Sequence, residues 1–286
     1  MYGFISFKNV WIYLFLLFIR MLLAWGFNEL TLVDSGNVSY SNPVRQSLFV
    51  VEDCGKSKAE CAASRILGIN PMTNVKGINA HIPMPGHVQT KIEDIQKIDE
   101  LITSHDVIFV LTDSREGRWL ATFLGGIRKK LVINVALGFD SYLVILNDKE
   151  KRGCYFCSDV VAPTDSITSR TMDQQCTVVR PGVSSIASAL AVELLVDHLQ
   201  GQNLGINHIR GFLSNNFQNH IINTEPFEGC ICCSKKLARE FQEKGVSFIL
   251  YVLENPLALE TLTGLESMKL DLDEKDDCIS IGSEDE

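Results

Sequence analysis

Four of the nine cysteines fall into two pairs with the spacing C-x-x-C, Cys154/Cys157 and Cys230/Cys233. Two thiolates at this spacing can share one tetrahedral zinc ion, and four thiolates make a closed structural site. Nine cysteines in 286 residues are too few for a disulfide scaffold, and paired cysteines favour metal binding in a reducing compartment. The pattern therefore predicts a structural Zn²⁺ site that joins two distant segments.

Two other interpretations of these cysteines stay open at the level of the sequence. They could be ordinary buried thiols, or a dithiol centre that exchanges disulfides. Cys232 lies between the members of the second pair and could compete as a metal ligand.

Cys176 stands apart from the pairs and is a candidate nucleophile. It precedes Arg180 and a predicted helix start at Pro181, and a thiol near cations or a helix N-terminus can have a depressed pKa. However, no histidine close in sequence offers a general base, and a solitary cysteine is commonly a passive apolar residue. The residues alone leave both interpretations open.

Charged side chains follow the ends of predicted strands. Asp34 closes one strand, where an acid can accept hydrogen bonds from a ribose. Asp113 follows another and suits Mg²⁺, because this hard cation prefers carboxylate oxygen. The cations that could meet phosphates or a developing negative charge are Arg45, Lys58, Arg115 and Arg118. Each of these could also be a solvated surface charge, but their arrangement after successive strands favours a site.

The elements that must position these residues alternate between strand and helix, which predicts a doubly wound, Rossmann-like α/β fold with a mainly parallel sheet. Ligand chemistry is then expected at the carboxyl ends of the strands. The predicted strands are Glu29–Asp34, Gly77–Ile82, Val107–Leu111 and Leu131–Ala136. The predicted helices between them are Ala59–Leu67, Ile92–Ile102 and Gly117–Gly125.

The second half of the chain begins with Cys154–Gly182, which has little periodicity and is typical of a long functional loop. The pattern then predicts a helix, a hairpin, a second helix and a strand. These are Val183–Gln200, a hairpin within Gly201–Phe227, Lys235–Lys244 and Val246–Leu253.

The two ends of the chain differ from the rest, and we divide it into 1–18, 19–268 and 269–286. The apolar run Val10–Ile19 resembles a signal-sequence core and is short for a membrane span. A buried strand or helix of the core is the preferred interpretation, because a secreted protein has little use for reduced metal-binding cysteine pairs. The last segment is acidic and is expected to be flexible. With 26 basic and 35 acidic residues, the chain is not expected to bind nucleic acid.

Several strings resemble one known family. The run from Asp34 through SYSNPVRQ to Lys58 resembles the adenylation signature of ubiquitin-like-modifier-activating enzymes. The strings IPMPGH, TDSREGRWL, KLVINVALGFDSYLV, GCYFC, DQQCTVVRPG, HIRGFLS and LTGL are similar to those of the autophagy type. The similarity runs from about Ile19 to the acidic tail.

This resemblance implies a reaction in which ATP and a modifier C-terminus form an acyl-adenylate with the help of Mg²⁺. Cys176 matches the cysteine that then forms a thioester and passes the modifier to a carrier enzyme. The paired cysteines match structural zinc ligands. The implied nucleotide-binding residues are Asp34, Asn42, Arg45, Lys58 and Asp113, of which Arg45, Lys58 and Asp113 are also implied to be catalytic.

The resemblance also implies partners and a location. The partners are the ubiquitin-like modifiers of autophagy, their carrier enzymes and a second copy of the chain, without a membrane span. The location is the cytoplasm, including the preautophagosomal structure. The tail, with Ile279 and Ile281 among acids, resembles a modifier-capturing segment that could dock by strand addition.

Two departures from the family pattern matter. A G-x-G-x-x-G loop normally cradles the nucleotide phosphates between the first strand and first helix. The corresponding segment here, Val10–Ile19, contains no glycine, so we expect impaired ATP binding. The family's large N-terminal domain also has no counterpart in these residues.

Two other functions compete with activation of a modifier. One is a zinc-stapled, non-catalytic fragment that dimerises or binds a modifier, which the missing glycine loop favours. The other is a nicotinamide-dependent dehydrogenase, which shares the α/β pattern but lacks a glycine fingerprint and leaves the cysteines unexplained.

Overall fold

An eight-stranded sheet organises the chain in a computed structural model that describes residues 10–13, 16–87, 90–148, 152–159, 161–164, 179–201, 205–214 and 216–268. The strands are β1 Val10–Tyr13, β2 Glu29–Val33, β3 Asn74–Ile78, β4 Val107–Val110, β5 Leu131–Leu137, β6 Ser141–Asp148, β7 His208–Phe212 and β8 Gln218–Ile222. Their order across the sheet is β3-β2-β1-β4-β5-β6-β7-β8. The five strands β3, β2, β1, β4 and β5 pair in parallel. Strands β6, β7 and β8 extend the sheet by antiparallel pairing, β6 with β5 and each later strand with the one before it.

Helices cover both faces of this sheet. They are α1 Leu16–Ala24, α2 Asn42–Arg45, α3 Lys58–Ile69, α4 Ile92–Ser104, α5 Arg115–Ile127, α6 Pro181–Leu199, α7 Lys235–Lys244, α8 Val246–Glu254 and α9 Ala258–Thr263. One core contains buried side chains of α1, α3 and α6, and the other contains those of α4, α5, α7, α8 and α9. The predicted doubly wound α/β class is therefore confirmed.

Strand β4 shows why its sequence, VIFV, belongs at the centre. Val107 and Phe109 enter the first core, whereas Ile108 and Val110 enter the second. An apolar residue at every position is expected for a parallel strand that is covered on both faces. The carboxyl end of β4 is thereby fixed in depth, and Asp113 follows it.

The prediction of a strand at Val246–Leu253 is wrong, because these residues form helix α8. The buried residues Phe248, Ile249, Val252 and Leu253 recur at helical spacing and face the second core. A short apolar run does not distinguish a strand from a buried helix by periodicity. Gly245, with φ of 58°, ends α7 and allows α8 to begin at the next residue.

Other elements differ less from the predictions. Strand β3 begins at Asn74 rather than Gly77, and the short helix α2 lies between β2 and α3, where no element was predicted. Strand β6 was not predicted; its residues from Tyr142 to Asp148 pair with β5. The remaining predicted helices and the β7–β8 hairpin are confirmed.

The apolar N-terminal residues that the structure describes form part of the sheet. Strand β1 lies between β2 and β4, and α1 places Phe18 against Phe109, with ring centroids 4.1 Å apart. The acidic segment 269–286 lies outside the described residues, and the proposed boundaries at residues 18 and 268 stay predictions.

Of the described helices, only α6 is long and apolar enough to cross a membrane by length and composition. Its residues Val183, Ala187 and Ala191 are buried at helical spacing in the first core. The apolar residues of α6 are therefore explained by their packing in the first core.

Gly77 of β3 generates a prediction about the contact between β3 and α3. A Cβ at this position would lie 2.3 Å from the carbonyl oxygen of Ala59, so a backbone must move. We expect Gly77→Ala to lower the free energy of unfolding by about 1–3 kcal/mol, the usual cost of overpacking. Thermal unfolding measures the effect.

Gly68→Ala, in the last turn of α3, is the matched control because nothing lies within 4 Å of its added Cβ. It should stabilise the protein by about 0.5–1 kcal/mol, since alanine is the better helix former. Equal melting temperatures for Gly77→Ala and the wild type would contradict the close approach.

Candidate functional site

Asp34 is a buried acid at the carboxyl end of β2. Only 8% of the residue is exposed, and its Oδ1 accepts a hydrogen bond from the N–H of Gly36 at 2.6 Å. Burial raises the pKa of Asp34 above its ordinary value, and nearby Asp113 adds to that rise. The Gly36 N–H and the Lys58 ammonium act in the opposite direction.

Lys58 is the first residue of α3, and the loop after β2 holds it beside Asp34. Its backbone N–H donates to the carbonyl of Gly36 at 2.9 Å. A Cβ on Gly36 would lie 3.0 Å from Asp34 Oδ1 and 3.7 Å from Lys58 Nζ, so both charged groups border this glycine. The structure therefore brings Asp34 and Lys58 together. Asp113 follows β4, across β1 from Asp34, and its charge acts on the pKa of Asp34.

Asn42 and Arg45 lie on α2, in the loop that follows Asp34. Asn42 is buried, and its Oδ1 accepts a hydrogen bond from the Ser39 N–H at 2.9 Å, which fixes the turn before the helix. Arg45 is exposed at the end of α2. The amide of Asn42 therefore shapes the loop, and the Arg45 side chain faces solvent.

Asp53, part of the signature that leads to Lys58, has a structural role. Its carboxylate receives two hydrogen bonds from Arg65 of α3, at 3.0 and 2.9 Å, and one from the Val50 N–H at 3.0 Å. The hydrogen bonds from Arg65 hold the pKa of Asp53 below its usual value. This acid fastens the loop onto α3, and so helps to position Lys58 at the start of that helix.

Arg115 and Arg118, which the sequence offered as phosphate cations, bind protein groups instead. Arg115 Nε lies 2.6 Å from Asp159 Oδ2, and Nη2 donates to the Val161 carbonyl. Arg118 is buried and donates to the carbonyls of Val110 and Thr112. In the described structure these two cations connect α5 to its neighbours.

The four paired cysteines form one cluster. The sulfur atoms of Cys154, Cys157, Cys230 and Cys233 all lie within 4.8 Å of one another. Neighbouring sulfurs are separated by 3.9, 3.6 and 3.3 Å. A tetrahedral zinc ion with Zn–S bonds of about 2.3 Å requires sulfur separations of about 3.8 Å. The donor set therefore fits a closed tetrahedral thiolate site, as the spacing predicted.

Backbone groups support thiolates in this cluster. The N–H of Phe227 points to Cys157 Sγ at 3.3 Å, and those of Cys232 and Cys233 point to Cys230 Sγ at 3.4 Å. Such donors stabilise and orient metal-bound sulfur. Cys232, a suggested competing ligand, is buried and contributes its N–H, while its sulfur is not one of the four.

Ionisation of the four thiols requires a compensating charge. Burial raises the pKa of the Cys154 thiol well above its ordinary value, whereas the hydrogen bond from Cys154 lowers that of Cys157. Four thiolates this close together, two of them fully buried, would repel one another strongly without a cation. A divalent cation at the centre would remove this cost.

Several residues that sequence reasoning missed hold the cysteine segments in place. Trp119 of α5 donates from Nε1 to the Ile231 carbonyl at 2.9 Å. Asn207 accepts from the Thr224 N–H at 2.8 Å and donates to its carbonyl at 3.1 Å, and the Gly153 N–H donates to the same carbonyl at 2.7 Å. These are long-range contacts, and no local pattern indicates them; Trp119 had only its place in the string TDSREGRWL as a signal.

Cys176 lies outside the described residues, as does most of the predicted loop after the first cysteine pair. Its proposed role therefore stays a prediction. The described ends of that loop are Thr164 and Val179, and α6 begins at Pro181 as expected from the sequence.

A doubly wound sheet with an acid, a lysine and a second acid grouped at its carboxyl edge defines the class as a Rossmann-type α/β protein with a ligand site at the strand ends. Within this class the chain belongs to the ThiF family, whose sequence profile matches residues 17–230.

Curated relatives carry the description "Ubiquitin-like modifier-activating enzyme ATG7". The one from Saccharomyces cerevisiae is 47% identical over 274 residues, which is 89% of this chain and 43% of the relative. The one from Candida albicans is 43% identical over 277 residues, 87% of this chain and 43% of the relative. The chain thus spans less than half the length of these relatives, and the family resemblance found from its motifs is confirmed.

Solved structures agree with the fold. The crystal structure of E. coli MccB with AMPCPP and MccA has a TM-score of 0.63 and 21% identity, and the match covers 80% of this chain and 67% of that one. The structure of PaaA has a TM-score of 0.56 and 19% identity, with 76% and 64% covered.

The cysteine cluster generates a prediction about metal content. We expect the purified protein to carry about one zinc ion per chain, because four thiolates close the coordination shell. Loss of a residue that only supports a metal ligand typically weakens metal binding roughly 10–100-fold. Cys154→Ser removes a ligand itself, so it should weaken zinc binding by more than this. Elemental analysis and competition with a chromogenic chelator measure both quantities.

Cys54→Ser, which changes a free cysteine outside the cluster, is the control and should retain the metal. The site would be ruled out by two observations on the wild-type protein with reduced thiols. The protein would bind no metal in excess zinc, and its melting temperature would be the same with and without zinc.

Proposed function

We propose that this chain activates the ubiquitin-like modifiers of autophagy: it adenylates a modifier C-terminus, forms a thioester on Cys176 and passes the modifier to a carrier enzyme. The observation that carries the proposal is the 47% identity to ATG7 across 89% of the chain. The grouping of Asp34, Lys58 and Asp113 at the carboxyl edge of the sheet supports it.

Each grouped residue has a chemical task in this proposal. Asp34 accepts hydrogen bonds from the ribose hydroxyls, a role that suits an acid anchored by a backbone N–H at a strand end. Lys58, with the exposed Arg45, neutralises phosphate oxygens as pyrophosphate leaves. Asn42 keeps the intervening loop in the conformation that presents Arg45.

Asp113 is the proposed ligand for Mg²⁺. When bound, this ion would neutralise phosphate charge and make pyrophosphate a better leaving group. The carboxylate fits the ion, because it is exposed at the carboxyl end of β4 and near a second acid, Asp34. The modifier carboxylate attacks the α-phosphorus of ATP, pyrophosphate departs, and the Cys176 thiolate then displaces AMP from the acyl group.

We assign the cysteine cluster to structural Zn²⁺. Four protein ligands leave no open coordination position for substrate or water, so a catalytic role for this metal is disfavoured. The cluster joins the segment after β6 to the segment after β8, and Trp119 of α5 is one of the residues that hold these segments in place.

The β1–α1 connection limits how well the chain performs the first step. Residues 4–25 contain no glycine, and α1 begins at Leu16, three residues after β1 ends. In a glycine loop several backbone N–H groups approach the phosphates, which bulky side chains prevent. We therefore infer impaired ATP binding, and the same feature favours the second candidate function, a non-catalytic fragment that binds a modifier or dimerises.

The proposed partners are autophagy modifiers, their carrier enzymes and a second copy of the chain, in the cytoplasm. These follow from the similarity to ATG7, whose full length this chain does not span.

A non-reducing gel tests the thioester step. The purified chain is incubated with modifier, ATP and Mg²⁺. A conjugate that is cleaved by an added thiol is expected in small yield. The conjugate should disappear in Cys176→Ser and persist in Cys54→Ser, because only the first variant removes the nucleophile. A conjugate that survives in Cys176→Ser would assign the thioester to another cysteine.

The impairment is tested separately by modifier-dependent ATP–pyrophosphate exchange, with the Saccharomyces cerevisiae relative as the control. A hydrogen bond to a charged group contributes about 1.5–3 kcal/mol, so the loss of two should lower ATP affinity by about 100-fold or more. Exchange at the relative's rate and at equal ATP concentration would refute impairment. Modifier binding without exchange or conjugate would support the non-catalytic fragment.

A further inference from the structure

Helix α5 connects the two sites described above. It begins directly after Asp113 and Ser114, and three of its residues bind the cysteine-bearing segments. Arg115 binds Asp159 and the Val161 carbonyl, Arg118 lies over Tyr155, and Trp119 binds the Ile231 carbonyl. The strand end that presents Asp113 is therefore held from the side of the cysteine cluster.

Arg118 makes the most direct of these connections. Its guanidinium carbon lies 5.1 Å from the centroid of the Tyr155 ring, between the first two cysteines of the cluster. The same guanidinium donates from Nη1 to the carbonyl of Val110, at 3.2 Å, and from Nη2 to the carbonyl of Thr112. Val110 is the last residue of β4, and Thr112 immediately precedes Asp113.

This arrangement is demanding because only 3% of Arg118 is exposed. The N–H groups of a buried guanidinium must find hydrogen-bond acceptors, because unpaired buried donors are costly. The planar guanidinium can donate to two carbonyls at once in a geometry that the ammonium of a lysine cannot reproduce. The backbone from Val110 to Thr112 is thus fixed by the same side chain that stacks on Tyr155, within the segment that carries the first cysteine pair.

We propose that Arg118 is a positioning residue, which is seated on Tyr155 between Cys154 and Cys157 and holds the β4 end so that Asp113 is presented across β1 from Asp34. This inference rests on the proposed role of Asp113 in the nucleotide site. It gives the metal a function beyond stability, because the cluster supports the surface on which Arg118 stacks.

The test compares Arg118→Lys, which retains the charge but loses the fork, with the wild-type chain. The first readout is the titration of Asp34, followed by ¹³C NMR of protein labelled at aspartate carboxyls. The groups that face Asp34 are the Gly36 N–H, Lys58 and Asp113, and only Asp113 raises the pKa of Asp34 among these three. A displaced Asp113 should therefore lower that pKa.

Asp113→Asn supplies the reference shift, since it removes the charge altogether. We expect Arg118→Lys to produce about half or more of that downward shift. We also expect amide exchange in the peptide 111–117 to become at least about tenfold faster, while zinc content stays at the wild-type level. Neither readout requires ATP, so an inactive chain would refute the proposed function without affecting this test.

Arg128→Lys is the matched control, because Arg128 follows α5 at its other end and binds Asp99 at 2.8 and 2.5 Å. An unchanged Asp34 titration in Arg118→Lys, or an equal change in Arg128→Lys, would overturn the proposal. If Arg118→Lys does not fold, Tyr155→Leu replaces it, because this variant removes the ring on which Arg118 stacks. The same lowered pKa of Asp34 and the same faster amide exchange in residues 111–117 are then expected.

Discussion

The packing of α5 between the sheet and the cysteine segments is the constraint on which the remainder of the described structure depends. Trp119 is fully buried, its ring stacks on Phe123 with centroids 5.0 Å apart, and its N–H binds the Ile231 carbonyl. Phe123 in turn meets Phe241 of α7 edge to face at 5.6 Å. Aromatic contacts of this kind add directional preference to burial, so they fix the register of α5 against α7 and the cluster.

Buried charged side chains near the strand ends differ in how many hydrogen-bond partners the protein gives them. This difference distinguishes structural groups, which have several partners, from the proposed functional group Asp34. Asp53 has two hydrogen bonds from Arg65, and Arg118 has two carbonyls and an aromatic ring. Asp34 has a single backbone donor in the described contacts, and burial raises its pKa. An acid that is buried with few donors gains most from a ligand that brings hydroxyl groups, which is the interaction proposed for the ribose.

The parts of the fold that could be predicted from the sequence are those with a local signal. The run VIFV of β4, the helical spacing in α4 and the two C-x-x-C pairs each carry their structure within a few residues. The nine residues of α8 fit a strand or a helix equally until the second core is known. Strand β6 follows β5 after only three residues that begin with Gly138, which is a hairpin signal, so β6 could have been predicted.

The candidate site follows the same division. Asp34, Lys58 and Asp113 could be identified because each follows a strand or begins a helix in order along the chain. The uses of Arg115 and Arg118 could not. Asp159, Val161 and the Tyr155 ring lie far along the chain, and nothing in the sequence shows that Arg118 turns back to the nearby carbonyls of Val110 and Thr112. The same reason hides Asn207 and Thr224, whose pairing joins two segments that share no sequence pattern.

The β1–α1 region shows how a fold can be retained while a ligand site is altered. Phe18, Ile19 and Leu22 of α1 are fully buried and extend the first core against β4 and α6. Burial of such side chains contributes about 1.5–3 kcal/mol each and depends on apolar area, so many sequences can supply it. Phosphate binding depends instead on backbone N–H groups that a Cβ must not shield, which is a requirement for specific glycines. A glycine-free segment can therefore satisfy the core and still remove the phosphate cradle, because the two demands fall on different atoms of the same residues.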